Sequence, residues 1–166
     1  MANKASFTPE EWQLLLESPM LAGMAVTAAD PSGLFGLVKE GFAASRALAE
    51  AKTAAGASEL IRAVVADLET PQGRDAARDG LKARFASSKA ADIKPRAITA
   101  LREVATLLET KAPEDAPAFK AWLEDIARRV AEASKEGGFL GFGGVQVSDA
   151  EKATLAEIAA ALNRTA

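Results

Sequence analysis

Histidine and cysteine are both absent from this chain of 166 residues, and the two absences remove most familiar protein chemistry. Without cysteine there is no disulfide, no thiolate zinc site and no thiol nucleophile. Without histidine there is no Ser-His-Asp triad, no imidazole metal ligand and no side chain that ordinarily titrates near neutral pH. Any chemistry falls to Asp, Glu, Lys, Arg, Ser, Thr or the backbone, and no cofactor is expected. Tyrosine is missing as well, and aromatic residues supply only 5% of the chain. The few β-branched residues are scattered rather than alternating, so nothing reads as strand.

An excess of positive charge is also lacking. Twenty Lys and Arg stand against 23 Asp and Glu, for a formal charge of −3. Nucleic acid is therefore not an expected partner, because phosphate contacts need a basic surface or stripe. Arg128 and Arg129 are adjacent, but they share their segment with Glu124, Asp125 and Glu132 and read as part of a solvated helix face. Long hydrophobic runs are missing too. The longest, Met20 to Ala29, has ten residues, roughly half of the ~20 that span a bilayer as a helix, so an integral membrane protein is not expected. Met1 to Ser6 lacks the basic-then-apolar order of a secretory signal, which makes a cytoplasmic location the expectation.

What the chain does have is alanine, 39 of its 166 residues, and alanine is the strongest helix former. Length and composition fit one domain over residues 1–166. The expected fold is all-α, an irregular or orthogonal bundle of about seven to eight helices, since proline, serine and glycine divide the chain into short segments.

That punctuation is legible. Thr8-Pro9-Glu10-Glu11 is a capping box with proline at the first helical position, predicting a helix to about Glu17. Ser18-Pro19 repeats the signal and predicts a second helix that ends at Asp30-Pro31-Ser32-Gly33. A helix follows over residues 34–55. Ser58 caps another that carries Leu60, Ile61, Val64, Val65 and Leu68 and stops at Thr70-Pro71. Residues 72–86 form a thin helix with Leu81 and Phe85 as its only large apolar residues, expected to be peripheral and a contact surface. A connector leads to Pro95, where a central helix begins, with Ile98, Leu101, Val104, Ala105 and Leu108 on one stripe. Phe119, Trp122, Leu123, Ile126 and Val130 mark the next buried face, with Trp122 read as core. Ser148-Asp149-Ala150-Glu151 is a second capping box, opening a last helix whose buried face is read as Leu155, Ile158, Ala159 and Leu162.

Few residues suggest a site. The loop Gly137 to Gly144 is rich in glycine and aromatics, and three roles stay open for it. It can cradle phosphate before the Ser148 cap, plug the end of the bundle, or dock a partner through Phe139, Leu140 and Phe142. A Gly-Lys-Ser/Thr sequence, the mark of a phosphate loop, is missing from it. Asp30, Glu40, Asp149 and Glu151 lie near helix ends and are of the oxygen-ligand type that calcium or magnesium prefers, although no EF-hand spacing occurs. The neighbouring carboxylates Glu10-Glu11, Glu114-Asp115 and Glu124-Asp125 point apart on a helix and do not make acid–base pairs.

The stretch Ala25-Val26-Thr27-Ala28-Ala29-Asp30-Pro31-Ser32-Gly33 with Lys39-Glu40, together with Gly144 to Glu151 leading into Leu155 and Ile158, resembles the TerB-like tellurite-resistance family. That resemblance covers about a quarter of the chain. It implies an all-helical bundle and a divalent cation held by Asp30 and Asp149. Pro31 and Ser32 separate Asp30 from its glycine, which departs from the family's aspartate-glycine turn. The chain as a whole also resembles the small all-helical proteins common in bacterial genomes. The expectation for function is a non-enzymatic interaction or structural module, either a homodimer or bound to a protein partner. A TerB-like cation-binding stress protein and an enzyme using carboxylate and lysine chemistry are the alternatives.

Overall fold

The computed structural model describes residues 2–29, 46, 48–51, 53, 57–135 and 147–163. Among these residues there are six α-helices, a one-turn 3-10 helix at Lys4–Ser6 and no strand. The helices are α1 (Pro9–Thr27), α2 (Glu59–Leu68), α3 (Pro71–Phe85), α4 (Ala90–Lys111), α5 (Ala116–Lys135) and α6 (Asp149–Asn163). The fold is all-α, with six bounded α-helices and part of a further one among the described residues, close to the seven to eight that the punctuation implies. Positions 46, 48–51 and 53 of the predicted 34–55 helix are helical, and the remainder of that helix lies outside the described residues.

The centre of the bundle is α1 rather than the 95–110 segment. It touches every other α-helix, and α4 is its most extensive partner. Leu15, Leu16, Leu21, Ala22, Ala25 and Val26 are all essentially buried along it. A helix wrapped on several sides shows no narrow apolar stripe, because no face is left for water.

The sequence reading placed a break at Ser18-Pro19, yet α1 runs through it. Proline brings no N–H to the Leu15 carbonyl one turn back, and deep in a bundle that orphaned acceptor would be costly. Ser18 resolves the conflict: its hydroxyl donates to the Leu15 oxygen at 2.7 Å. The serine that looks like a helix cap is a repair within the helix. Ser18→Ala is expected to cost about 1.5 kcal/mol, the penalty for a buried acceptor left without a donor. In a Pro19→Ala background, where a backbone N–H returns, the same change is expected to cost much less. Urea denaturation of the four-member cycle measures the coupling.

The second departure is at Pro95, which the sequence reading made a helix start. Instead α4 begins at Ala90, where the Lys89 N–H donates to Asp92 Oδ2 at 2.9 Å. Pro95 deprives only the Ala91 carbonyl of its intrahelical donor, and both residues are exposed, so that acceptor is placed where solvent can reach it.

The remaining helices follow their signals closely. Ser58 Oγ accepts from the Ile61 N–H at 3.3 Å, and Thr70 Oγ1 from the Gly73 N–H at 3.0 Å. Phe119, Trp122, Leu123, Ile126 and Val130 are buried as read, with the Phe119 and Trp122 rings edge to face at 5.1 Å. In α6 the buried face is turned slightly. Ile158 and Leu162 are buried, but Thr154 and Ala161 join them while Leu155 and Ala159 are half-buried. Thr154 can be buried because its hydroxyl donates to the Ala150 oxygen at 2.8 Å.

The thin helix α3 exposes Arg74, Asp75, Arg78 and Asp79, as expected. Its inner face is made of small residues, Gly73, Ala77 and Gly80, and this lets its backbone lie close against α1 and the end of α2. Leu81 and Phe85 are half-buried against the core further along the helix.

Candidate functional site

Aromatic and charged side chains come together where the amino-terminal segment crosses α1 and meets the α2–α3 corner. The segment is tied down at several points. The Ala2 N–H donates to the buried Asp115 Oδ2 at 3.0 Å, and Asn3 Oδ1 accepts from the Ala5 N–H at 2.9 Å. Thr8 and Glu11 then close the predicted capping box, with Thr8 N–H to Glu11 Oε2 at 2.8 Å and Glu11 N–H to Thr8 Oγ1 at 3.3 Å. Phe7 stands just before the cap and Trp12 four residues after it, and their rings pack at 5.9 Å. This is a hydrophobic staple, which sets the angle at which the chain enters the helix.

Asp67, in the last turn of α2, faces the staple. Its Oδ2 accepts from the Trp12 Nε1–H at 2.7 Å and from the Lys4 ammonium at 2.8 Å. The Lys4 Nζ also lies 5.8 Å from the centroid of the Trp12 ring, within cation–π range. Partial burial pushes the Asp67 pKa up, but the hydrogen bonds from Lys4 and Trp12 and the charge of Lys4 outweigh it. The net position is below the ordinary value of 3.8. A depressed carboxyl stabilises the fold above its unfolded pKa, and that contribution disappears as pH falls through the folded value. At neutral pH Asp67 is therefore a fixed anion.

Between these groups lies an open groove of about 360 Å³. Phe7, Pro9, Trp12, Leu16 and Ala76 give it an apolar lining, with Lys4 and Asp67 among its polar groups. Concave apolar surface with a few fixed polar groups is the usual form of a ligand site.

No family model, curated protein or solved structure matches the chain. The site is therefore read from its own geometry.

The residues singled out from the sequence fall elsewhere. Asp149 is in the first turn of α6 with its side chain fully exposed, and the nearest cation is Lys152 Nζ at 3.9 Å. Glu151 is buried, and its carboxylate accepts from the Ser148 N–H at 2.8 Å and the Ser148 hydroxyl at 3.0 Å. Asp30, Glu40, Phe139, Leu140, Phe142 and the whole 137–144 loop lie outside the described residues. Among the described residues, no group of three or more acidic side chains is placed to hold a metal ion. No described helix is long and apolar enough to cross a membrane.

Glu114 and Asp115 lie in the turn before α5 rather than on a helix, while Glu11, Glu124 and Asp125 each find a partner of their own. Glu11 pairs with Lys111 at 2.7 Å, and Glu124 accepts from Asn163 at 2.5 Å. Asp125 pairs with both Arg128 and Arg129. The Arg128-Arg129 cluster is thus neutralised by its own helix and by Glu50, 2.5 Å from Arg129.

One acid behaves differently. Glu17, on α1, is buried against α3 and α4 and pairs with Arg84 Nε at 3.1 Å, while Arg84 Nη1 reaches Glu103 at 3.4 Å. Burial pushes the Glu17 pKa above its ordinary value, Arg84 pulls it down, and the charge of Glu103 adds to the rise. This triad braces three helices and lines none of the groove.

Sequence reading did not find Lys4, Trp12 or Asp67 as a site. Half of the signal was present, since Phe7 and Trp12 flank an evident cap at staple spacing. The other half, Asp67, stands 55 residues away from Trp12, and only the packing of α2 and α3 on α1 brings it there.

Proposed function

We propose that the protein is a non-enzymatic interaction module that receives a segment of a protein partner in the groove between Phe7, Trp12 and Ala76. One observation carries this reading: an open apolar groove whose aromatic floor is locked by a staple and whose rim holds a single ionised carboxylate. Rigid aromatic surface beside a fixed charge suits binding, because little conformational freedom is lost when a partner docks. The loop residues Phe139, Leu140 and Phe142 form a second candidate contact, on the strength of the loop's glycine-rich and aromatic sequence alone.

A random-peptide display library tests the groove directly. Peptides selected on the wild-type protein are expected to lose at least tenfold in affinity for Ala76→Phe, which fills the groove from α3 without altering charge. Equal binding to both proteins, at unchanged helix content by circular dichroism, overturns the proposal. Native mass spectrometry of the same samples reports whether a second copy of the chain is the occupant instead.

A further inference from the structure

We infer that Asp67 and Trp12 form a cation site within this groove, that Lys4 of the same chain occupies it as a stand-in, and that a lysine or arginine side chain of the partner displaces Lys4. The inference rests on the groove reading given above and adds the chemistry of what binds there.

The two halves of the contact are unequally held. Asp67 is the fixed half. Its side chain is 18% exposed, its Oδ2 is anchored by the indole N–H of an almost buried Trp12, and its own backbone oxygen accepts from the Thr70 N–H at 2.9 Å and the Thr70 hydroxyl at 2.7 Å. None of these bonds involves Lys4, so the anion and the ring are positioned independently of it.

Lys4 is the loose half. Its side chain is 64% exposed, and it projects from a one-turn helix. An exposed ammonium on a flexible stem gains little from such a pair, because solvent screens the attraction and the stem loses rotamer freedom. The ammonium nevertheless sits where carboxylate and aromatic ring are both within reach, as the cation of an incoming side chain would. The apolar lining of the groove then accommodates the rest of the incoming segment. An acidic ligand is repelled by Asp67 once Lys4 is displaced.

The probe is n-butylammonium at constant ionic strength, with 1-butanol as the neutral control. The readout is the Trp12 indole 15N–1H resonance, distinguished from that of Trp122 by a Trp12→Phe variant. In Lys4→Gln the site is vacant, and butylammonium is expected to shift the Trp12 resonance with an apparent Kd at least threefold lower than in the wild type. Asp67→Asn is expected to abolish the shift, and 1-butanol to give none. An equal response in wild type and Lys4→Gln, or a response retained in Asp67→Asn, overturns the inference. Because Lys4 is a surface side chain, the first comparison stands even where Asp67→Asn impairs folding.

The two readings fail separately. If Ala76→Phe blocks peptide binding while butylammonium is indifferent to Lys4, the groove survives and the cation site falls. If butylammonium behaves as expected while Ala76→Phe leaves peptide binding intact, the cation site stands and the groove reading falls.

Discussion

Replacing Arg84 by methionine is expected to cost about 2 kcal/mol at pH 7 and much less near pH 5. Methionine keeps most of the stem's packing and removes only the charge, which leaves Glu17 buried among α1, α3 and α4 without its cation. Removing one partner of a buried ion pair typically costs ~3–5 kcal/mol, and the lower figure here reflects Arg84 being a quarter exposed and Glu17 being able to take up a proton. The carboxylate lies directly against Gly80, where an added Cβ would stand 1.9 Å from Glu17 Oε1.

The pH dependence follows from linkage. Glu17 already has a folded pKa above its ordinary value of 4.5, so between those two values the folded state binds more protons than the unfolded one. Its contribution is therefore most favourable at low pH and declines as pH rises through the folded pKa. Without Arg84 the folded pKa rises further, and acidification rescues the variant by protonating Glu17. Asp67, Glu11 and Glu50 are shifted the opposite way and weaken the fold only below the ordinary carboxylate range. Chemical denaturation of wild type and variant at a series of pH values isolates the effect as a difference. A deficit that stays constant from pH 7 to pH 5 would show that Glu17 is not its source.

Gly73→Ala is expected to destabilise by about 2 kcal/mol, although alanine is the better helix former. Gly73 lies in the first turn of α3, folded back on the end of α2, and a Cβ there would come within 2.0 Å of the Asp67 carbonyl oxygen. That oxygen is held by the Thr70 amide and hydroxyl, so relief requires the α2–α3 corner to open. Overpacking of this kind costs ~1–3 kcal/mol or more, against a helix-propensity gain of at most ~1 kcal/mol. Gly23→Ala is the control. Its Cβ would meet Val130 Cγ2 at 3.6 Å, an ordinary contact, so propensity prevails and the variant should gain about 0.5 kcal/mol. Thermal melting of the two variants should therefore give shifts of opposite sign. Because the corner also positions Asp67, Gly73→Ala is expected to weaken the Trp12 indole hydrogen bond as well.

These two predictions concern contacts that one-dimensional patterns hide. Capping chemistry was readable where it is local: Thr8 with Glu11, Ser58, and Ser148 with Glu151 all bond within three residues of themselves, while Thr70, read as a helix stop, also caps α3. The stripes of α4 and α5 were readable because each helix has one buried face. Two boundaries were misread, at Ser18-Pro19 and at Pro95, because proline's effect depends on where the freed carbonyl points. At Leu15 a neighbouring hydroxyl satisfies it, and at Ala91 the residue is exposed to solvent. Neither fact is a property of the dipeptide.

By itself, then, the order of residues determined the all-helical class, most helix termini, and the exclusion of thiol and imidazole chemistry, since all of these depend on residue type or on neighbours within a turn. The tertiary structure alone decided that α1 is the hub, that glycine and alanine let the start of α3 lie close to its neighbours, and that Lys4, Trp12 and Asp67 come together around one carboxylate. The reason is range. Propensity and capping act over about four residues, whereas a groove and a charge cluster are assembled by burial, which joins positions far apart in the chain wherever their surfaces fit together.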